Sequence, residues 1–287
     1  LHLGIDHLPL PRESRGGRSY LYIDSTPGAV RANSRGAGWQ NARLLRDIED
    51  QAVAAMAQMD HIFTISRHMK EQIAREYGCD PARITAVGTG RGPIRPDTSP
   101  RRYDGRTLLF VAKREFEDKG GALLLEAFSR ARRKDPGLRL VIAGQQNYPD
   151  LYGRLPGVTA HGRITLEKLQ ELFQQADLFA MPALYEPWGL VYLEAMSCRV
   201  PVLGLRRQAL PEITDEGRLG FLCAEAEPSL LAEVILDAMS DAERLRRMGV
   251  AAQERCLAHY TWEKTVERML AVMRRGAARV EGPDVDE

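Results

Sequence analysis

Apolar residues recur along this chain in two alternating periods, and that alternation predicts the fold. Short runs such as RTLLFVA at 106–112 and LRLVIA at 138–143 are apolar almost throughout, as strands are when both faces of a sheet are covered. Further runs of this kind fall at 157–160, 177–181 (DLFAM), 200–204 (VPVLG) and 219–223. The segments between them space apolar residues three and four apart. Leu124, Ala127, Phe128 and Ala131 line one helix face, and Leu169, Leu172, Phe173 and Ala176 line another. Strand and amphipathic helix in alternation predict a parallel sheet with helices on both sides from Arg106 onward. Helices near 228–240, 241–258 and 262–275 are expected to finish the chain, the last capped by Thr261. The tail GAARVEGPDVDE is expected to be disordered.

Upstream the pattern is sparser. Residues 1–18 carry Pro, Gly and charge without a sustained period and read as loop or as the remnant of structure whose partners are missing. SYLYID at 19–24 reads as a strand, followed by Ser-Thr-Pro-Gly turn chemistry. A helix is expected over 41–59, a strand over 60–66 (DHIFTIS), a helix capped by Ser66 and stopped near Gly78, and a strand over 83–87. This order requires parallel pairing through a crossover. The stretch 88–105, GTGRGPIRPDTSPRRYDG, is dense in Gly, Pro and charge and reads as an inter-domain linker, with the boundary between domains drawn at 96–105.

Composition narrows the classes of function. A length of 287 residues allows two cores, and 40 basic against 39 acidic side chains leave a net charge of +1, without the basic excess of a general nucleic-acid binder. No apolar run approaches the ~20 residues that span a bilayer. Cys79, Cys198, Cys223 and Cys256 lack metal-ligand spacing and read as reduced packing thiols of a cytoplasmic protein. The first residue is Leu, which suggests that the chain begins inside a longer gene product.

In an open parallel sheet, ligands gather at the carboxyl ends of the strands, where helix starts offer free amides. The most informative junction is PALYEPWGLVYLEAM, 182–196. The strand ends, a loop carries Glu186, and a helix begins near Gly189, with Glu194 about one turn inside it. Amides around Gly189, Leu190 and Val191 can hold a phosphate oxygen, aided by the helix dipole. Glu186 would face the group attached to that phosphate, and Glu194 hydroxyls on its other side. At a second junction, FVAKREFEDKGG, Lys113 ends a strand and Lys119 precedes a helix six residues later. Fixed cations there can stabilise a leaving diphosphate. The bland alternatives are a solvated helix face for the glutamates and two surface lysines.

Glu186 and Glu194 in the setting EPWGLVYLEAM resemble the signature of retaining glycosyltransferases of family 4, glycosyl transferases group 1. The resemblance runs over about 106–275 and more faintly over 19–95. It implies an α/β protein of GT-B type, two Rossmann-like domains facing across a cleft: a partial acceptor-side domain at 1–95, a linker at 96–105, a donor-binding domain at 106–260, and a closing helix and tail at 261–287. The implied activity moves a hexose from a UDP- or GDP-sugar to a hydroxyl acceptor, saccharide, lipid-linked or small molecule, without metal or cofactor. Membrane association stays open, since many relatives glycosylate lipid carriers.

By the same resemblance, Lys113, Lys119, Gly120, Ile164, Glu186, Pro187, Trp188, Gly189, Leu190, Val191 and Glu194 bind the donor, and Glu186, Lys113 and Lys119 are catalytic. The family usually has Arg where Lys113 stands, and Lys lacks the planar bidentate contact. It has glycines at the places of Arg199, Gln208 and Ala209. Arg206 and Arg207 read as surface charges, and Trp262 as packing. Asp24 stands where the family places a catalytic His, with His7 and His61 as alternatives. The family's N-terminal Gly-rich loop is absent. Rival readings are a GT-B epimerase or phosphorylase, a glycosidase using Glu186 and Glu194, and a nucleotide-sugar-binding fragment or partner subunit without turnover. A dinucleotide dehydrogenase is rejected, because GTGRG leads into Pro93 and not into a helix.

Overall fold

The alternation of buried positions along the strands explains how each sheet is covered. The structure, a computed structural model, describes residues 1–3, 17–26, 28 and 42–278, so that His7 lies outside the described residues. The chain divides into two compact units: Leu1–Gly90 with Tyr260–Glu287, and Arg91–His259.

In the first unit, β1 (His2–Leu3), β2 (Tyr20–Ile23), β3 (His61–Thr64) and β4 (Ile84–Ala86) form a parallel sheet in chain order. Its helices are α1 (Ala42–Gln58), α2 (Arg67–Tyr77) and, from the far end of the chain, α10 (Trp262–Ala278). Leu21, Ile23 and Ile62 join Ala52, Met56, Met69 and Ile73 in one cluster. Phe63, between them in register, packs with Val87 and Met269 and with Tyr20 and Tyr22. The period of two thus sends one set of side chains to α1 and α2 and the other to α10. Ser66 caps α2 by accepting the Met69 N–H at 3.0 Å, and Gly78 ends it at φ +64°, as expected.

The second unit contains β5 (Thr107–Ala112), α3 (Gly121–Lys134), β6 (Arg139–Gly144), α4 (Tyr148–Tyr152), β7 (Val158–His161), α5 (Leu166–Gln175), β8 (Leu178–Ala180), α6 (Leu190–Ser197), β9 (Val202–Leu205), α7 (Leu210–Ile213), β10 (Gly220–Cys223), α8 (Pro228–Met239) and α9 (Ala242–His259). Its parallel sheet has the order β10-β9-β8-β5-β6-β7. In order of appearance that is 6-5-4-1-2-3, the doubly wound arrangement. Leu108, Leu109 and Phe110 of β5 and Leu178, Phe179 and Ala180 of β8 are buried, which explains why these strands are apolar on both faces.

Three expectations are narrowed or corrected. Of the two readings of residues 1–18, residues 2–3 take the structured one, a strand pairing His2 with Leu21 and Leu3 with Tyr22; two residues are too few to show a period. Residues 276–278 of the tail continue α10, and 279–287 lie outside the described residues. The stretch 97–105 is bound into the second unit. The buried Asp177 carboxylate accepts the N–H groups of Asp104, Arg106 and Thr107 at 3.1, 3.0 and 2.9 Å, and Arg101 donates to the carbonyls of Ala176 and Cys198.

Candidate functional site

The strand order creates one place in the second unit where successive connections diverge. After β5 the chain proceeds to β6 and β7 on one side; it then returns to β8 on the other, with Leu108 beside Leu178 and Leu109 beside Phe179. The carboxyl ends of β5 and β8, with the loops that leave them, are therefore the switch point, where open sheets of this kind form a ligand crevice.

The two loops are tied across it. The N–H groups of Leu184 and Tyr185 donate to the Asp118 carbonyl at 2.8 and 3.3 Å, and the Lys119 ammonium pairs with the Glu186 carboxylate. Gly120 enters α3 at φ +77°, and a Cβ there would run into the Pro182 carbonyl. Only glycine permits both the left-handed turn and so close an approach. Both members of the pair are largely covered, with 22% and 17% of their side chains exposed. Beyond Glu186 come half-buried Pro187 and buried Trp188, and Gly189 turns the chain at φ +85° into α6. Leu190 is exposed and Val191 half-buried at its start, so the first-turn amides sit beside an ion pair at the switch point.

Glu194, one turn along α6, is 8% exposed. Burial pushes its carboxyl up to about 7, against the Lys113 ammonium, which pulls it down. Lys113 itself is exposed, immediately beyond β5. The backbone of Gly92 lies against the Glu194 carboxyl, where any Cβ would overlap Oε1. Gly92 thus has a packing role that GTGRG did not reveal.

The remaining expected residues are more scattered. Ile164 is half-buried beyond β7, on the same carboxyl edge but two strands from β5. Asp24 ends β2 in the first unit and is exposed. His61 there accepts or donates at 2.8 Å with Thr85 and tilts against Phe63; burial, then Lys70, Arg83 and Arg275, hold its pKa down. Arg206 is exposed and pairs with Glu216 at 3.5 Å. Trp262 is 53% exposed, with one side of its ring against Gly90. A cavity of about 720 Å³, lined by Leu125, Phe128, Arg132, Pro136, Leu155 and Val158, opens by α3 and the starts of β6 and β7. That is the amino end of these strands, away from the crevice.

One contact was not foreseen. The Gln208 side-chain oxygen accepts the Glu186 N–H at 3.0 Å. Gln208 has φ +49° and Arg199 φ +59°, so two non-glycine residues occupy a backbone region that suits glycine. Both stand where the resemblance has glycines. Arg199 uses its side chain to reach Gln253 at 2.9 Å and the Thr98 carbonyl at 3.1 Å. The departure from glycine was the available signal.

Comparison with known proteins agrees with this architecture. Residues 97–255, more than half of the chain, match the family described as Glycosyl transferases group 1. The alpha-maltose-1-phosphate synthase of Mycolicibacterium smegmatis is 28% identical over 86% of this chain and 70% of its own length. A GDP-mannose-dependent alpha-(1-6)-phosphatidylinositol monomannoside mannosyltransferase from the same organism is 28% identical over 75% of this chain and 62% of its own. Among solved structures, the sucrose-phosphate synthase of Thermosynechococcus elongatus superposes with a TM-score of 0.72 at 20% identity, covering 93% of this chain and 70% of that one. The fold is therefore the α/β GT-B type, built here from two Rossmann-like units with parallel sheets. Among the described residues no helix is long and apolar enough to cross a membrane.

Proposed function

We infer the activity from membership: this chain belongs to the glycosyl transferases group 1 family. Within it, the reading is a retaining hexosyltransferase of family 4 that takes a UDP- or GDP-linked sugar and glycosylates a hydroxyl acceptor in glycan or glycolipid synthesis. The observation that carries it is the Lys119–Glu186 pair beside the start of α6 at the switch point. When the bond from the anomeric carbon to the diphosphate breaks, negative charge grows on the leaving oxygens. Lys119, Lys113 and the amides of Gly189, Leu190 and Val191 are the groups to meet it, with no metal required. Glu186 positions the sugar, Glu194 the ribose hydroxyls, and Ile164 the base. Gly120, Pro187 and Trp188 shape the loops. The GDP-mannose in the name of one relative supports a nucleoside-diphosphate sugar as donor. Asp24, an exposed carboxylate at a strand end, takes the acceptor-side role.

The chain spans 70% and 62% of the length of the two relatives described, and a second reading is a nucleotide-sugar binder or partner subunit without turnover. Incubation with UDP-glucose or GDP-mannose and maltooligosaccharide acceptors separates the two. Acceptor-dependent release of nucleoside diphosphate supports the transferase. Donor binding with no release under any acceptor favours the binder.

A further inference from the structure

We propose that Gln208 is a positioning residue for the donor sugar, acting through Glu186; the proposal rests on the donor-site reading above. Gln208 lies in the loop between β9 and α7, and β9 is the neighbour of β8. Its loop and the Glu186 loop therefore leave the same edge side by side. The turn is held by Arg207 N–H to the Leu205 carbonyl at 2.8 Å and Leu210 N–H to the Arg207 carbonyl at 3.2 Å. Within it Gln208 adopts φ +49°. A left-handed conformation is strained for a non-glycine residue, and such strain persists where surrounding structure demands it. What the strained turn delivers is the bond from the Glu186 N–H to the Gln208 side-chain oxygen, across 22 positions of sequence.

Glu186 is thereby gripped from two loops, its backbone by Gln208 and its carboxylate by Lys119. A carboxylate whose backbone is already fixed loses less freedom when it accepts a sugar hydroxyl. On the same carboxamide, the Nε2 of Gln208 has no partner among the described residues, which leaves two N–H donors beside Glu186 for the sugar. A glycine at 208 would relieve the backbone and abolish both functions.

The test uses the chain as it stands, with Gln208→Gly and Gln208→Glu, titrated with UDP, GDP, UDP-glucose and GDP-mannose. Melting temperature and exchange of the Glu186 amide are followed alongside. Gln208→Gly should melt no lower than wild type, bind the bare nucleotide within about twofold, and bind the matching sugar nucleotide about tenfold more weakly, the scale of one or two lost hydrogen bonds. Its Glu186 amide should exchange faster. Gln208→Glu keeps an acceptor for that amide and should restore its protection, but without N–H donors it should not restore sugar-nucleotide affinity. Equal weakening for nucleotide and sugar nucleotide with a lower melting temperature would make Gln208 merely structural and overturn the proposal. So would unchanged sugar-nucleotide affinity. Wild-type protein that binds none of the four ligands defeats the donor-site reading, and the role of Gln208 falls with it.

Discussion

At the scale of single residues, Glu194 shows how folding and binding oppose one another. Its carboxyl titrates near 7 in the folded chain against 4.5 when solvated, because burial outweighs the pull of Lys113. Below pH 4.5 both states hold the proton and the group is neutral to stability. Between 4.5 and 7 the unfolded chain releases it first, so stability falls as pH rises; above 7 the cost is about 3 kcal/mol. Glu194→Gln should therefore gain in melting temperature relative to wild type as pH rises from 4.5 to 8. A difference constant with pH would contradict that cause. Gly92→Ala should destabilise the second unit by about 1–3 kcal/mol, because its Cβ overlaps the Glu194 carboxyl; a urea melt measures it. The glutamates were legible because their spacing and setting are local. The contacts of Gln208 and Gly92 were not, since each depends on a loop distant in sequence arriving at one edge.

At the scale of elements, the strands were the most readable feature. Burial on both faces leaves Leu108 to Ala112 without a polar position, and β5 begins one residue inside the run RTLLFVA. Two-residue β1, five-residue α4 and four-residue α7 are shorter than any period that sequence can display. What fastens β5 and β8 at their starts is polar. Asp177→Ala would leave three backbone N–H groups without their shared acceptor. It should cost about 2–4 kcal/mol, read as a lower denaturant midpoint. Asn can accept only part of that set and should fall between. Among the cysteines, burial pushes Cys198 up to about 11 and Cys256 to about 12, while half-buried Cys79 is raised less. Alkylation of the native protein should therefore reach Cys79 first, with mass spectrometry as the readout.

At the scale of the whole molecule, chain order and structural units part company. The closing helix α10 belongs with the opening strands, and the Gly- and Pro-rich stretch from Arg91 onward belongs with the second unit. Composition marked where chain character changes, but long-range bonds such as those of Asp177 and Arg101 decide which side each residue joins. This also shapes the reading of Asp24, which belongs to the first unit, whereas the expected donor residues belong to the second. Asp24→Asn should leave donor affinity intact and lower acceptor-dependent turnover.

The central claim is that the diphosphate of a donor sits at the switch point, between Lys119 and the start of α6. Calorimetric titration of wild type and Lys119→Ala with UDP and GDP tests it most directly, with a melting curve on each sample. Micromolar binding of one nucleotide is predicted. Loss of one charge-assisted contact, worth about 1.5–3 kcal/mol, should weaken it by roughly tenfold to a hundredfold while cooperative melting is kept. Equal affinity in the two proteins, or no binding by a wild type that melts cooperatively, would contradict the claim.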